Sequence, residues 1–340
     1  MFLIKNLKIY GLGLCSGGLD SILSCLLLKK QGIDVKWISF ETPFFFSDTA
    51  KIASSYNKIP IFMKDITKFF FEMLNNESCR FGKNMNPCID CHALMLNLAG
   101  KLMKNKKINF IFTGEVLGQR PMSQKSNSIR NVEKKSGFKN RILRPLSKNN
   151  LSLEFLKIGK IINEDFLLNI SGRSRKSQFI LSKNFQIKNF PTPGGGCLLT
   201  DSIYSKRLID YIKYNKNFYN KNSLLLLRIG RHIRLTSNIK VIVSRNNIES
   251  VKLKTIIDYD KDLILESLDK PGLFLIIENG LKNNIINYNL LFSFIASICI
   301  FYNKINLRNK NEFLFKYNNI IKKIKIKNIK KREISRFLIF

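Results

Sequence analysis

Residues 9–21 read IYGLGLCSGGLDS. Ile9 to Cys15 is an apolar run of strand length, SGGLDS turns the chain, and Ile22 to Leu28 continues as an apolar helix. Gly17 and Gly18 let consecutive backbone N–H groups face one anion, and the helix N-terminus adds its positive dipole. Phosphate is the anion that such a turn suits. Ser16 and Ser21 supply hydroxyls, while Asp20, itself an anion, suits a Mg2+ that bridges pyrophosphate oxygens. The chain has no GxxxxGK[ST], so this turn is not a Walker A loop.

Outward from the turn, strand-length apolar runs recur at Val35–Phe40, Ile59–Met63 and Phe110–Thr113, with helix-like segments at Thr49–Tyr56 and Ala93–Met103 between them. This alternation predicts an α/β fold with a doubly wound parallel sheet. Ligands of such sheets bind beyond the carboxyl ends of the strands, so the loops after Cys15, Phe40 and Thr113 should converge. From Gln119 to Asn150 the chain is polar and basic, a loop in expectation, carrying Arg120, Lys125, Arg130, Lys134, Lys135, Arg141 and Arg144 toward RNA or solvent. FPTPGGGC, Phe190–Cys197, reads as a turn-rich hinge.

The pattern changes after Asp201. Lys240–Val243, Val251–Leu253 and Leu273–Ile277 predict strands of a smaller α+β module. Beyond Leu281 an apolar helix is followed by a basic tail or helix. The expected domains are 1–200, 201–280 and a basic helical segment 281–340.

The chain has 340 residues and carries 58 Lys+Arg against 24 Asp+Glu, a formal net charge of +34. Such an excess suits a polyanion, because clustered cations release the counterions condensed on nucleic acid. Abundant Asn, Ile and Lys, as an AT-rich genome produces, account for part of it. With 45% hydrophobic and 11% aromatic residues, the chain can bury a core, which excludes general disorder. No secretory signal opens it, and the longest apolar run, Leu290–Tyr302, is too short to span a bilayer. A cytoplasmic protein without membrane contact is expected.

Seven cysteines without a secretory context point to thiols that serve metals or catalysis. NPCIDCH places Cys88 and Cys91 where two sulfurs reach one metal, and Cys197 in PGGGCLLTD can close on them. Several chemistries fit this set: three thiolates on a [4Fe-4S] cluster with one iron open, a Zn2+ site completed by His92, or a persulfide on one Cys that another resolves as a disulfide. A thioredoxin-like dithiol leaves Cys197 unexplained, and c-type haem on CIDCH belongs to exported proteins. Cys25 and Cys299 sit in apolar helical stretches and pack as small hydrophobes. Cys15 and Cys79 border loops. His232 reads as a surface or RNA-facing residue, and Arg173 and Arg175 as phosphate contacts or a solvated helix start.

SGGLDS resembles the PP-loop of the ATP pyrophosphatases, enzymes with an adenine nucleotide alpha hydrolase-like fold that cleave ATP to AMP and pyrophosphate while adenylating a carbonyl oxygen. TGEVLGQRPMSQ, Thr113–Gln124, is similar to the Gly-Glu, Gly-Gln and Ser-Gln pattern of tRNA 4-thiouridine synthetases, and LRPL at Leu143–Leu146 fits the same comparison. The resemblance covers roughly Leu7 to Asp201. CxxC plus one remote Cys is similar to the cluster-dependent tRNA thiolases of this superfamily. RIGRHIRL with KVIVSRNNIESVKL, Lys240–Leu253, resembles the NFACT-type RNA-binding domain, with Ser244 where that pattern has Gly.

The resemblance implies a tRNA sulfurtransferase making 4-thiouridine or 2-thiouridine. ATP and Mg2+ would lie over Ser16, Gly17, Gly18, Asp20 and Ser21, with the Phe40 and Gly114 loops at the adenine and α-phosphate and Glu115 and Gln119 positioning substrate or metal. Asp20, Cys88 and Cys197 would be catalytic, and Cys88, Cys91 and Cys197 would hold the cluster. The implied partners are tRNA and a sulfur donor, sulfide or a cysteine desulfurase, with a homodimer possible. No THUMP or rhodanese domain is recognisable, so RNA recognition falls to the basic C-terminal half. A cluster-free persulfide 2-thiouridylase and a lysidine-type synthetase remain alternatives.

Overall fold

The computed structural model describes residues 8–148, 162–191, 196–215, 220–267, 274–278, 280, 294–295, 297–298, 312–317, 320–325 and 338–339. The chain divides into two compact units, Met1–Thr200 and Asp201–Phe340.

The first unit is built on five parallel strands: β1 Tyr10–Leu14, β2 Asp34–Glu41, β3 Ile61–Asp65, β4 Phe110–Phe112 and β5 Ile142–Leu143. Their order is β3-β2-β1-β4-β5. The chain therefore reverses its winding beside β1, the switch point where such sheets hold ligands, and the expected doubly wound sheet is present. The described helices are α1 Leu19–Lys29, α2 Asp48–Asn57, α3 Thr67–Leu74, α4 Cys88–Asn105, α5 Ser126–Ser136 and α6 Lys176–Asn184. Core residues pack both faces of the sheet: Trp37, Phe110 and Phe112 with Ile22, Cys25 and Leu28 of α1 on one, and Leu12, Ile38 and Ile111 with Leu96 and Ala99 of α4 on the other. Cys25 is thus a core residue, as its apolar setting predicts.

Gly13 of β1 makes this packing possible. Gly13 pairs with Phe112 in register, and a Cβ there would stand 2.3 Å from that ring.

Three expectations are corrected. The polar stretch 119–150 contains α5, whose Ile129 and Val132 are buried, and β5. Its charged residues hide an apolar stripe at helical spacing, and Arg144 is 1% exposed.

The second correction concerns Val251–Leu253, which lies in a helix, α9, rather than a strand. The second unit comprises α7 Ser202–Tyr214, α8 Lys221–Leu226, β6 Arg231–Arg234, β7 Lys240–Val243, α9 Asn247–Lys254, β8 Leu263–Ser267, β9 Phe274–Ile277, β10 Glu312–Tyr317, β11 Ile320–Lys325 and β12 Leu338–Ile339. Asn246 caps α9 by accepting from the Glu249 amide at 2.9 Å, and Glu249 accepts from the Arg245 amide at 2.9 Å. This N-terminal signature outweighs the β preference of one valine.

Third, residues 312–317, 320–325 and 338–339 are strands, not parts of a basic helix. EFLFKY and IIKKIK carry the β-branched and aromatic residues that strands favour. The strands of the second unit form one antiparallel sheet in the order β11-β10-β8-β9-β7-β6-β12. The predicted apolar helix at Leu290–Tyr302 lies mostly outside the described residues. Among the described residues, no helix is long and apolar enough to cross a membrane.

Candidate functional site

The loops after β1, β2 and β4 meet at the switch point. Gly17 takes φ +76°, and a Cβ there would lie 2.3 Å from the Thr49 carbonyl, so only glycine lets the turn pass α2 so closely. Thr49 fixes the contact by donating its hydroxyl to the Ser16 carbonyl at 2.8 Å. From the other side Gly114 presses on α1, where a Cβ would come 2.5 Å from the Asp20 carbonyl carbon.

α1 opens at Gly18 without a side-chain cap, so the Leu19 and Asp20 amides have no intrahelical acceptor, the condition for an anion site at a helix N-terminus. Ser16 is exposed, with Oγ accepting from the Gly18 amide at 3.4 Å. Ser21 spends its hydroxyl on the turn, donating to the Gly18 carbonyl at 2.7 Å. Cys15 accepts from the Gly17 amide at 3.3 Å, and burial pushes its thiol up to about 11. Phe40 is buried in the core, so a nucleotide would meet only the chain that follows it.

Asp20 is held by a relay. Gln119 donates to Asp20 Oδ2 at 2.7 Å and accepts from Gln178 of α6 at 2.8 Å. Arg175 Nη2 stands 3.6 Å from Asp20 Oδ1, which accepts no hydrogen bond although buried. A buried carboxylate oxygen without a donor suits a Mg2+. Arg175 is one of the two arginines that the sequence offers as phosphate contacts or a solvated helix start; Gln178 carries no motif signal and reads as one polar residue of a helix, yet its side chain is fully buried.

Glu115 belongs to a second network. It accepts from Arg144 Nε at 3.0 Å and from Thr113 Oγ1 at 3.2 Å, and lies 2.9 Å from His92 Nδ1. Arg144 also binds Glu133. Burial disfavours the Glu115 anion, but Arg144 and His92 outweigh it and hold the pKa at about 2. For Glu133 burial wins over Arg144 and raises the pKa. Glu115 is thus tied into the scaffold, and His92 turns one ring nitrogen to it.

Cys88 and Cys91 open α4, and Cys197 reaches them across the sequence. The Leu198 amide donates to the Phe44 carbonyl at 2.9 Å, and Asn84 Nδ2 donates to the Thr200 carbonyl at 2.7 Å. Burial pushes the Cys197 thiol up to about 11 and Cys91 well above its ordinary value, with Cys88 and Cys197 adding to the shift at Cys91. Asn86 Nδ2 donates to Cys88 Sγ at 3.3 Å. Among the described residues, however, no three His, Cys, Asp or Glu side chains gather at metal-ligand spacing. Three thiols are the right donors for a cluster, yet as they stand they do not fit one.

Residues 8–162 match the family model described as "Thiamine biosynthesis protein (ThiI)", and residues 230–338 match that of the "NFACT protein RNA binding domain". The first unit carries a ThiI-type PP-loop domain. The chain is 33% identical over 122 residues to tRNA-specific 2-thiouridylase MnmA of Karelsulcia muelleri (strain GWSS), covering 32% of this chain and 31% of that protein. It is 32% identical over 96 residues to tRNA-specific 2-thiouridylase MnmA 2 of Thermoanaerobacter sp. (strain X514), covering 23% and 26%. The chain thus spans a third or less of these curated relatives. A solved 4-thiouridine synthetase in complex with RNA and ATP is 18% identical, covering 52% of this chain and 50% of that one, with a TM-score of 0.33. So distant a likeness carries no argument; the fold rests on the strand order.

In the NFACT-type unit two expectations change. His232 is fully buried, with Nε2 3.0 Å from the Ile229 carbonyl, and burial drives its pKa well below the ordinary value. It is a neutral core residue, not an RNA-facing one, because the middle of its strand, His232 and Ile233, is buried on both faces. Ser244 is also buried, accepting from the Phe274 amide at 2.9 Å, so its hydroxyl ties β7 to β9.

Proposed function

We propose that this protein is a cytoplasmic, ATP-dependent tRNA uridine thiolase. The observation that carries the reading is the uncapped N-terminus of α1 beneath the SGGLDS turn, placed at the switch point of a ThiI-type domain beside a buried, donor-free Asp20 oxygen. ATP lies with its phosphates on the amides of the turn; Asp20 would hold a Mg2+, which would supply charge neutralisation for the phosphates. The uridine carbonyl oxygen attacks the α-phosphate, giving the adenylated base and pyrophosphate. Fixed N–H dipoles aimed at the transferring phosphate supply most of the rate gain, because they need no reorganisation. Sulfur then displaces AMP at the activated carbon, leaving a thiouridine. tRNA is held by the NFACT-type unit and by cations of the first.

Sulfur is carried by the Cys88, Cys91 and Cys197 group as a persulfide, its outer sulfur passed on from the persulfide of a cysteine desulfurase. The Asn86 amide supports Cys88 as the carrier, since it places a hydrogen-bond donor at that sulfur. A neighbouring thiol then takes up the carrier sulfur as a disulfide, which a thiol reductant reopens.

Anaerobic purification with iron and sulfide assays, AMP measurement and mass spectrometry of tRNA nucleosides from a deletion strain test the whole. Thionucleosides unchanged by the deletion would end the reading, and an iron-free protein that still thiolates would end the cluster. Asp20→Ala should lower AMP formation by about a hundredfold or more; full activity would reduce SGGLDS to a turn.

A further inference from the structure

Three buried polar atoms around Asp20 make no hydrogen bond: Asp20 Oδ1, Arg175 Nε and Gln178 Oε1. The carboxylate sets the direction of the chain attached to it. Because it only accepts, Gln119 must present its nitrogen to Asp20 and its oxygen to Gln178, whose own oxygen is left without a donor. The relay thus locks one oxygen of Asp20 and leaves the other to Arg175.

At 3.6 Å that contact is an attraction without a good hydrogen bond. Arg175 is steadied instead by Phe179, one turn along α6, with the guanidinium carbon 5.6 Å from the ring centre. The Arg175 and Asp20 side chains keep 15% and 19% exposure, so a ligand can reach both. A planar cation with donors to spare stands beside the carboxylate that would hold a Mg2+.

We propose that Arg175 binds the pyrophosphate end of the nucleotide, leaving its loose pair with Asp20 as the nucleotide arrives, while Gln119 and Gln178 position Asp20. This rests on the proposed ATP reading. A guanidinium matches two phosphate oxygens at once, and its charge counts most where the leaving group gathers negative charge.

Titration calorimetry on the full chain with ATP, pyrophosphate and AMP tests it, each with Mg2+ and with EDTA. Arg175→Gln should raise the Kd for ATP and pyrophosphate about tenfold or more and that for AMP less than about twofold. The loss should persist when Arg175→Gln is combined with Asp20→Asn; if it vanishes there, Arg175 only neutralises Asp20 and the proposal fails. Should Arg175→Gln not fold, Arg175→Lys carries the test. It keeps the charge and loses the fork, so an unchanged Kd for ATP overturns the contact. Wild-type protein that binds neither ATP nor pyrophosphate refutes the nucleotide reading and this inference together, whereas normal wild-type binding with an unaffected Arg175→Gln refutes the inference alone.

Discussion

Two polar networks leave the same loop after β4 and end differently. Glu115, Arg144, Glu133 and His92 close on one another, and Arg144 Nη2 is the one fully buried atom of the four left without a partner. Asp20, Gln119, Gln178 and Arg175 stay open, with an unpartnered atom at Asp20, Arg175 and Gln178. Both are largely buried, so burial does not explain the contrast. Full charges surrounded by opposite charges complete themselves, and such a set serves the scaffold. A single carboxylate relayed through neutral amides cannot, and its vacancies suit a ligand.

The largest expected effect on stability follows from breaking the closed network. Arg144→Met should cost roughly 3–5 kcal/mol, since it leaves two buried carboxylates without their cation, as urea unfolding would measure. The sign of its pH dependence is also fixed. Burial already raises the Glu133 carboxyl and the loss of Arg144 removes the cation that opposes it, so the variant should lose stability as pH rises above 4.5. A variant within about 1 kcal/mol of wild type would show that the network carries no weight.

A smaller effect separates Glu115 from its neighbours. Its folded pKa of about 2 lies below the ordinary 4.5, so its charged form stabilises the fold above pH 4.5 and loses that contribution as pH falls toward 2. The stability gap between wild type and Glu115→Gln should therefore narrow across that window. A gap that stays constant would mean that Glu115 is held by hydrogen bonding alone, without the charge of Arg144.

The contrast between the networks also marks what the sequence made legible. The phosphate turn is contained in six consecutive residues, so its strand, turn and helix could be read locally, and the loop convergence followed from the alternation of strands and helices. Arg144 could not be read this way. It lies in a basic stretch that looks solvated, while its partners are 11 and 29 residues away and meet it only because β4 and β5 pair. Gly13 likewise appears as a strand-weakening residue until Phe112 is seen against it. His232 is as hard to read, because one histidine in a basic run gives no sign of how deeply its strand is buried.

The smallest expected effect on stability comes from the open network, at its most buried member. Gln178 is fully buried, and a buried glutamine in a closed set would be costly to remove. Gln178→Leu, however, deletes an acceptor that already lacks a donor and sacrifices one amide bond to Gln119, so the two terms oppose each other. The net change should stay within about 1 kcal/mol, measured by thermal unfolding. Binding should respond more strongly than folding. With Gln178 gone, nothing holds the Gln119 oxygen, and Asp20 loses the fixed orientation that suits a nucleotide-bound Mg2+. ATP affinity measured with Mg2+ should fall several-fold, and the same measurement in EDTA should change less. Equal losses in both would place Gln178 in the scaffold with Arg144, and the distinction between the two networks would fail.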